Sequence, residues 1–376
     1  MRLKGNLLKH FAGKVVEMVN VIGLDVGGAN TKMAFLKAEN GSVQKIRIAS
    51  EYFPVWKRDK SELSALLNRL RVKAAESEDL DSVGVTMTAE LSDAYQTKRE
   101  GVNHVLYSVE RAFPNFKISV LDVDANLILL EEARANPLRV AAANWAATGW
   151  IVSKIFSNCI VVDVGSTSTS IIPIIDGKVA AEGKSDLEKL INGELVYTGA
   201  LRTNVAAIVN AVPVKGGIAR VSSELFATSG DVHLVLGNIR EEDYTVDTAD
   251  GRGKSRAEAL ARLARIVCAD VETLSEEEIV NIAKYVYRKQ IDQISEGLKQ
   301  VYGRIKKCLK QNLQIVVTGL GRKFLARKAA QAAGFEEIVD LGELLGEEIA
   351  LTTPCVGVAL MAASKLSGRD ITWKRF

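Results

Sequence analysis

A chain of 376 residues, 47% hydrophobic and 25% charged, has the balance of a soluble globular protein. It is also long enough for two domains, since single cores stop growing near about 250–300 residues. A net charge of +3, with 49 Lys and Arg scattered among 46 Asp and Glu, excludes a charged tail and a nucleic-acid surface built on charge imbalance. Four widely separated cysteines, Cys159, Cys268, Cys308 and Cys355, exclude a zinc knuckle or redox dithiol and fit a reducing cytoplasm. No apolar run reaches the roughly 18–20 residues that would span a bilayer.

Residues 1–17 alternate basic and apolar groups without the apolar core of a signal peptide, and read as an extension ahead of a start at Met18. Strands are expected at 21–25, 33–37 and 43–48, with Asn40-Gly41 turning the chain between the second and third. A helix follows at about 60–75, with Leu63, Leu66, Leu67 and Leu70 on one face. A strand at 82–86, a helix and a strand at 118–123 complete an α/β half.

From Asn158 the pattern restarts. DVGGANTK at 25–32 and DVGSTSTS at 163–170 share Asp, Val, Gly and Thr at their first, second, third and seventh places. Each follows an apolar strand and precedes another, which ends in Asn40-Gly41 in one case and Asp176-Gly177 in the other. This is an internal duplication, two related α/β halves facing one another. Past about Gly230 the chain becomes helical: Ala257, Leu260, Leu263, Ala264 and Val267 are helically spaced, and Ser275 with Glu278 is a capping box opening an amphipathic run to about Leu309. LQIVVTGLGRKFLARKAAQAAGF, from 313, reads as strand, glycine turn and helix; a strand at 338–341 and a helix at 354–366 then close the second domain. The expected domains are 1–17 as extension, 18–155, and 156–376 with a helical insertion at about 230–311.

The duplicated loops suggest phosphate chemistry. At Gly27, Gly28 and Gly165 the missing Cβ lets phosphate oxygens approach backbone amides, and Asn30, Thr31, Ser166, Thr167, Ser168 and Thr169 add donors. Lys32 can add a positive charge, the plain alternative being a solvated strand residue. A carboxylate beside phosphate needs a cation between them, and Mg²⁺ is held by one or two carboxylates, waters and the phosphates themselves. Asp25 and Asp163 are therefore the expected metal ligands and catalytic residues, sharing one ion. Gly319 and Gly321 form a third bare-backbone junction for phosphate, or else simply allow close strand–helix packing. His10, His104 and His233 are isolated, and Trp145 and Trp150 lie in an Ala-rich helix that reads as core.

Together with VTGLG, the two loops resemble those of the acetate kinase, sugar kinase, Hsp70 and actin superfamily. Within it the chain is similar to the hydantoinase/oxoprolinase branch, and more narrowly to one-carbon-pathway proteins that include a methanofuran-biosynthesis synthase. The motifs are GLDVGGANTK, AAANWAATG, DVGSTSTSIIPI, YTGALRTNV, ELFATSGDVHLVLG and TADGRGKSRAEALARLAR, running from 23 to 265, with TPCVGVALMAA near the end. The resemblance implies duplicated ribonuclease H-like (actin/Hsp70-like) halves with a cleft between them and an added helical segment. It implies a transferase joining an aminomethyl-furan methyl diphosphate to the phenol oxygen of γ-glutamyltyramine, with release of diphosphate. The partners would be that diphosphate ester and the phenolic acceptor, not nucleic acid or membrane, with homo-oligomerisation left open. The alternative is an ATP-dependent kinase or oxoprolinase-type amidohydrolase, in which Gly319 to Gly321 would meet adenosine; a non-catalytic regulator or filament former is the third reading. Relatives commonly carry Asp where this chain has Ser170, which leaves the catalytic base open. Glu90, just past a strand end in GVTMTAEL, is the candidate, with Asp122 and Asp124 behind it; the plain reading of Glu90 is a first-turn helix acid.

Overall fold

In the computed structural model the described residues are 18–308 and 313–372, so the extension expected at 1–17, with His10, and the end of the amphipathic run at Leu309 lie outside them. Strand β1 (Met18–Val26) is buried at every position but its first, as a central strand should be. It pairs antiparallel with β2 (Asn30–Glu39), which pairs antiparallel with β3 (Ser42–Tyr52). The turn between them has Asn40 at φ 50° and Gly41 at φ 78°, the left-handed pair that a two-residue hairpin requires. On its other side β1 runs parallel to β4 (Ser82–Met87), followed by β5 (Lys117–Leu121) and the short antiparallel β6 (Leu127–Leu129). The sheet order is β3-β2-β1-β4-β5-β6.

The second sheet repeats that plan. Strand β7 (Cys159–Val164) pairs antiparallel with β8 (Thr169–Ile175), whose outer edge carries the short β9 (Lys178–Val179) and β10 (Leu195–Val196). The turn after β8 again has two left-handed residues, Asp176 at φ 50° and Gly177 at φ 70°. A separate hairpin, β11 (Ala211–Val214) with β12 (Gly217–Arg220), follows. Strand β13 (Gln314–Thr318) runs parallel to β7, and β14 (Ile338–Asp340) parallel to β13. The duplication is therefore real in three dimensions: the chain is α/β, with two ribonuclease H-like halves that repeat one sheet order and an added helical segment.

Two compact units result. The first holds the described residues of Met1–Asp122, Asn126–Asn144 and Pro354–Phe376; the second holds Val123–Ala125 and the described residues of Trp145–Thr353. In the first, Ile22, Leu24, Phe35 and Val85 of the sheet pack with Leu63, Leu66 and Leu70 of helix Glu62–Ala75 and with Val105 and Val109 of helix Lys98–Ala112. In the second, Ile160, Val162, Ile171 and Val317 pack under Ile294, Leu298 and Val301 of helix Glu276–Ile305, which opens with the Ser275–Glu278 capping box.

The last helix, Thr353–Ser367, departs from expectation. It lies on the first sheet instead of closing the second domain. The reason is a bare patch: Gly23 and Gly84 are register partners on β1 and β4. A Cβ on Gly23 would lie 2.0 Å from the Cys355 carbonyl oxygen, and one on Gly84 2.5 Å from a Val358 methyl. The helix backbone sits where side chains would otherwise stand, and Thr372 then pairs with Ser42.

Candidate functional site

Both DxG loops are tips of the leading hairpin of their unit, and both are closed the same way. Gly27 N donates to Asn30 O at 3.1 Å, and Gly165 N donates to Ser168 O at 2.9 Å. The tip carbonyls are also taken: Phe53 N bonds Ala29 O and Val55 N bonds Gly28 O in the first, while Ala200 N bonds Gly165 O and both Leu201 N and Arg202 N bond Ser166 O in the second. Among the described residues the amides of Gly28 and Ala29, and of Ser166 and Thr167, have no protein acceptor. Donors of this sort on a glycine-rich tip form an anion-binding concavity.

In the first unit the strand register lines up a row of polar residues on one face. Lys32 is the partner of Asp25 across β1 and β2, and Thr86 is its partner across β1 and β4. Asp25 and Thr86 are buried, Lys32 is half-buried, and Thr86 Oγ1 has no hydrogen-bond partner among the described residues. Thr31 does not join this row. Alternation along β2 turns it to the opposite face, fully buried, so its hydroxyl is not placed beside Lys32 and Asp25.

Glu90 is only 1% exposed, in a 3₁₀ turn at Ala89–Leu91 packed on helix Lys98–Ala112; a Cβ on Gly101 would lie 2.5 Å from its Cα. A carboxylate at that depth is badly placed to reach a phenol. Nearby, burial first, then the charges of Glu100 and Glu90, push the Tyr95 hydroxyl up to about 12, and that hydroxyl lies 2.6 Å from His104 Nδ1. Asp122 is fully buried in an ion pair with Arg139 at 2.7 Å and accepts from Asn126 N, while Asp124 pairs with Lys184. Neither second-choice base is near a DxG loop in sequence.

In the second unit Asp163 stands between Ser170 and Thr318 in the sheet. Thr148 Oγ1, from the AAANWAATG helix, donates to Asp163 Oδ2 at 3.2 Å. Gly319 has φ 84°, and a Cβ on it would lie 2.5 Å from Asp163 Oδ1. The two late glycines thus serve close packing: Gly319 N donates to Ala350 O and Gly321 N to Val164 O, so neither amide is left for phosphate. Thr169 is likewise interior, its hydroxyl donating to Thr198 O at 2.8 Å. Trp145 is core, under the Lys189 ammonium at 3.7 Å from its ring centre. Burial lowers Lys189 to about 8, with Glu194 opposing that shift. His233 is fully buried between Tyr287 and Phe324, and burial drives it down to about 3.

Residues 81–362 match the family model described as hydantoinase/oxoprolinase. The chain belongs to the hydantoinase/oxoprolinase family. This family member is 40% identical over 350 residues to a (4-{4-[2-(gamma-L-glutamylamino)ethyl]phenoxymethyl}furan-2-yl)methanamine synthase of Methanocaldococcus jannaschii, covering 93% of this chain and 99% of the relative. It is 40% identical over 225 residues to the protein of that name from Methanococcus vannielii, covering 58% of this chain and 97% of the relative. A nucleotide-free acetone carboxylase structure superposes with a TM-score of 0.51 at 11% identity, covering 91% of this chain and 70% of that one; this supports the fold alone.

Two residues that hydrogen-bond the second loop of this hydantoinase/oxoprolinase family member were missed by sequence reasoning. Thr148 orients Asp163, and Arg202 donates from Nη1 to Thr167 Oγ1 at 2.9 Å. Their only signal was membership in motifs that had no assigned role. No cluster of three or more His, Cys, Asp or Glu able to hold a metal occurs among the described residues. One carboxylate per loop, flanked by hydroxyls such as the unsatisfied Thr86 Oγ1, still suits Mg²⁺, which takes few protein ligands and completes its shell with water and phosphate. No described helix is long and apolar enough to cross a membrane.

Proposed function

We propose that this chain is a transferase joining an aminomethyl-furan methyl diphosphate to the phenol oxygen of γ-glutamyltyramine, releasing diphosphate and forming the ether of a methanofuran precursor. The observation that carries the reading is 40% identity across 99% of a relative named for such a product. Both partners are small molecules, and the reaction belongs in the cytoplasm.

The chemistry suits the loops. The furfuryl carbon bears positive charge by ring resonance, so its bond to diphosphate breaks first, with the electron pair departing on the oxygen. Amides of Ser166 and Thr167 in the second unit are the donors we assign to that oxyanion, with Ser168 beside them; in the first unit the amides of Gly28 and Ala29, with Asn30 and the Lys32 ammonium, offer an equivalent set. Asp25 and Asp163, each on its own loop, are the carboxylates that would hold Mg²⁺, which would supply neutralisation of the leaving diphosphate. The phenol oxygen then forms the new C–O bond and its proton passes to solvent or to the departing group. A phenol titrates near about 10 in water, but capture of a cation-like carbon does not demand a strong base, which fits the buried position of Glu90 and the serine at position 170.

The test is mass spectrometry of products after mixing the protein, Mg²⁺, the furan diphosphate and γ-glutamyltyramine. The ether and free diphosphate are expected, and their absence would sink the reading. Phosphate release from ATP under the same conditions would favour the kinase or amidohydrolase alternative.

A further inference from the structure

Three motifs of the family resemblance, YTGALRTNV, ELFATSGDVHLVLG and TADGRGKSRAEALARLAR, contribute no residue to the second DxG loop. They nevertheless fold together behind it. Residues 198–203 form a strap across the loop, joined to it by Ala200 N, Leu201 N and Arg202 N as donors and by Thr198 O as acceptor. Contact is close enough that a Cβ on Gly199 would lie 2.5 Å from the Thr167 backbone.

The strap is itself fixed from two sides. Gly230 N donates to Leu201 O at 3.0 Å, Ser229 N to Thr203 O at 2.8 Å, and Gly199 N to Thr203 Oγ1 at 2.9 Å. Behind Ser229 and Gly230, Asp231 accepts from Thr228 N and from Arg262 Nε at 2.8 Å, with both charged side chains fully buried. Such a pair adds little net stability but is costly to break, so it holds a geometry. From the other side, fully buried Gln290 donates to Thr198 Oγ1 at 2.8 Å and Gly199 O at 3.1 Å.

This scaffold holds Arg202 against the loop. Its backbone is pinned at its own amide and at the carbonyls on either side. Its guanidinium is half-buried against Thr167 Oγ1, beside the Ser166 and Thr167 amides that lack a protein acceptor. We propose that Arg202 is a further anion-binding residue of this site, clamping the diphosphate group of the substrate and of the released product against residues 165–168. The proposal rests on the transferase reading above. A guanidinium presents several donors in a planar fork that matches phosphate oxygens, so it can bond Thr167 and an oxyanion together. It also fills a gap in the duplication. Where the first loop is followed by Lys32, the second has the uncharged Ser170 at the same register position.

The experiment is calorimetric titration of inorganic diphosphate, with Mg²⁺, into the wild type, Arg202→Lys and Arg202→Met. Affinity should fall about tenfold or more in Arg202→Met and by less in Arg202→Lys, with melting temperatures close to wild type. An arginine that only secures the strap would lower melting and leave diphosphate affinity unchanged. Wild type and Arg202→Met binding diphosphate equally well overturns the assignment of Arg202 while sparing the transferase reading. A wild type that does not bind diphosphate overturns both. Should Arg202→Met fail to fold, Arg202→Lys decides, since affinity equal to wild type would show that the fork does not touch the anion.

Discussion

The two DxG loops share a backbone and differ in how they are charged. Each closes with the same amide-to-carbonyl bond, each has its tip carbonyls taken by a following segment, and each leaves two tip amides without an acceptor among the described residues. In the first, the bracing segment is Phe53-Pro54-Val55, which carries no charge, and the cation comes from the hairpin itself as Lys32. In the second, the hairpin offers Ser170 and the bracing strap brings Arg202. A duplicated backbone can therefore keep its donor geometry while the charged partner moves from a local strand to a distant segment. The carboxylates diverge as well. Asp163 is oriented by Thr148 and backed by Gly319, whereas one residue past Thr86 the first unit has the buried side chain of Met87.

Substituting the carboxylates should have the largest effect. Asp25→Asn and Asp163→Asn are each expected to lower turnover by about 10²-fold or more while melting stays near wild type, followed by product mass spectrometry. A large loss in one and little in the other would mean that only one loop works on the diphosphate. Next, Lys32→Met should cost about 10- to 100-fold in kcat/KM, and a value indistinguishable from wild type would return Lys32 to a solvated strand residue.

Gly319→Ala tests the packing that has no counterpart in the first unit. With φ at 84° and a Cβ 2.5 Å from Asp163 Oδ1, it should lose roughly 2–3 kcal/mol of stability in urea titration. The effect that touches activity least is expected in pH dependence. His233 is held near 3 in the folded chain by burial, against 6.5 when exposed. Below pH 6.5 the unfolded chain takes a proton that the folded chain refuses, so stability is full above 6.5 and falls as pH drops towards about 3. Urea midpoints measured from pH 7 to 4 in wild type and His233→Phe should show the slope in the first and a weaker one in the second.

Much of the fold was legible because its signals are local. The hairpin turns at Asn40-Gly41 and Asp176-Gly177, the Leu face of helix Glu62–Ala75 and the capping box at Ser275 all appear as read. Hairpin β11–β12 was not foreseen, since Pro213 argues against a strand in any sheet with neighbours on both sides; in an isolated pair it is tolerated. Of the candidate site, only the placement of its residues can be compared with the sequence reading. Asp25, Gly28, Lys32, Asp163, Ser166 and Thr167 sit on the two tips, but Thr31 and Thr169 turned inward, and the glycines at 319 and 321 proved to be packing positions.

Periodicity, turn chemistry and the repeated DxG phrase settled the two α/β halves, because each depends on residues within a few places of one another. Which amides stay open, where the last helix docks, and that Arg202 meets Thr167 35 positions away were decided only by the tertiary structure. Those outcomes depend on a donor finding an acceptor, or a helix finding a bare patch such as Gly23 and Gly84, in segments far apart along the chain, and no local pattern records that pairing.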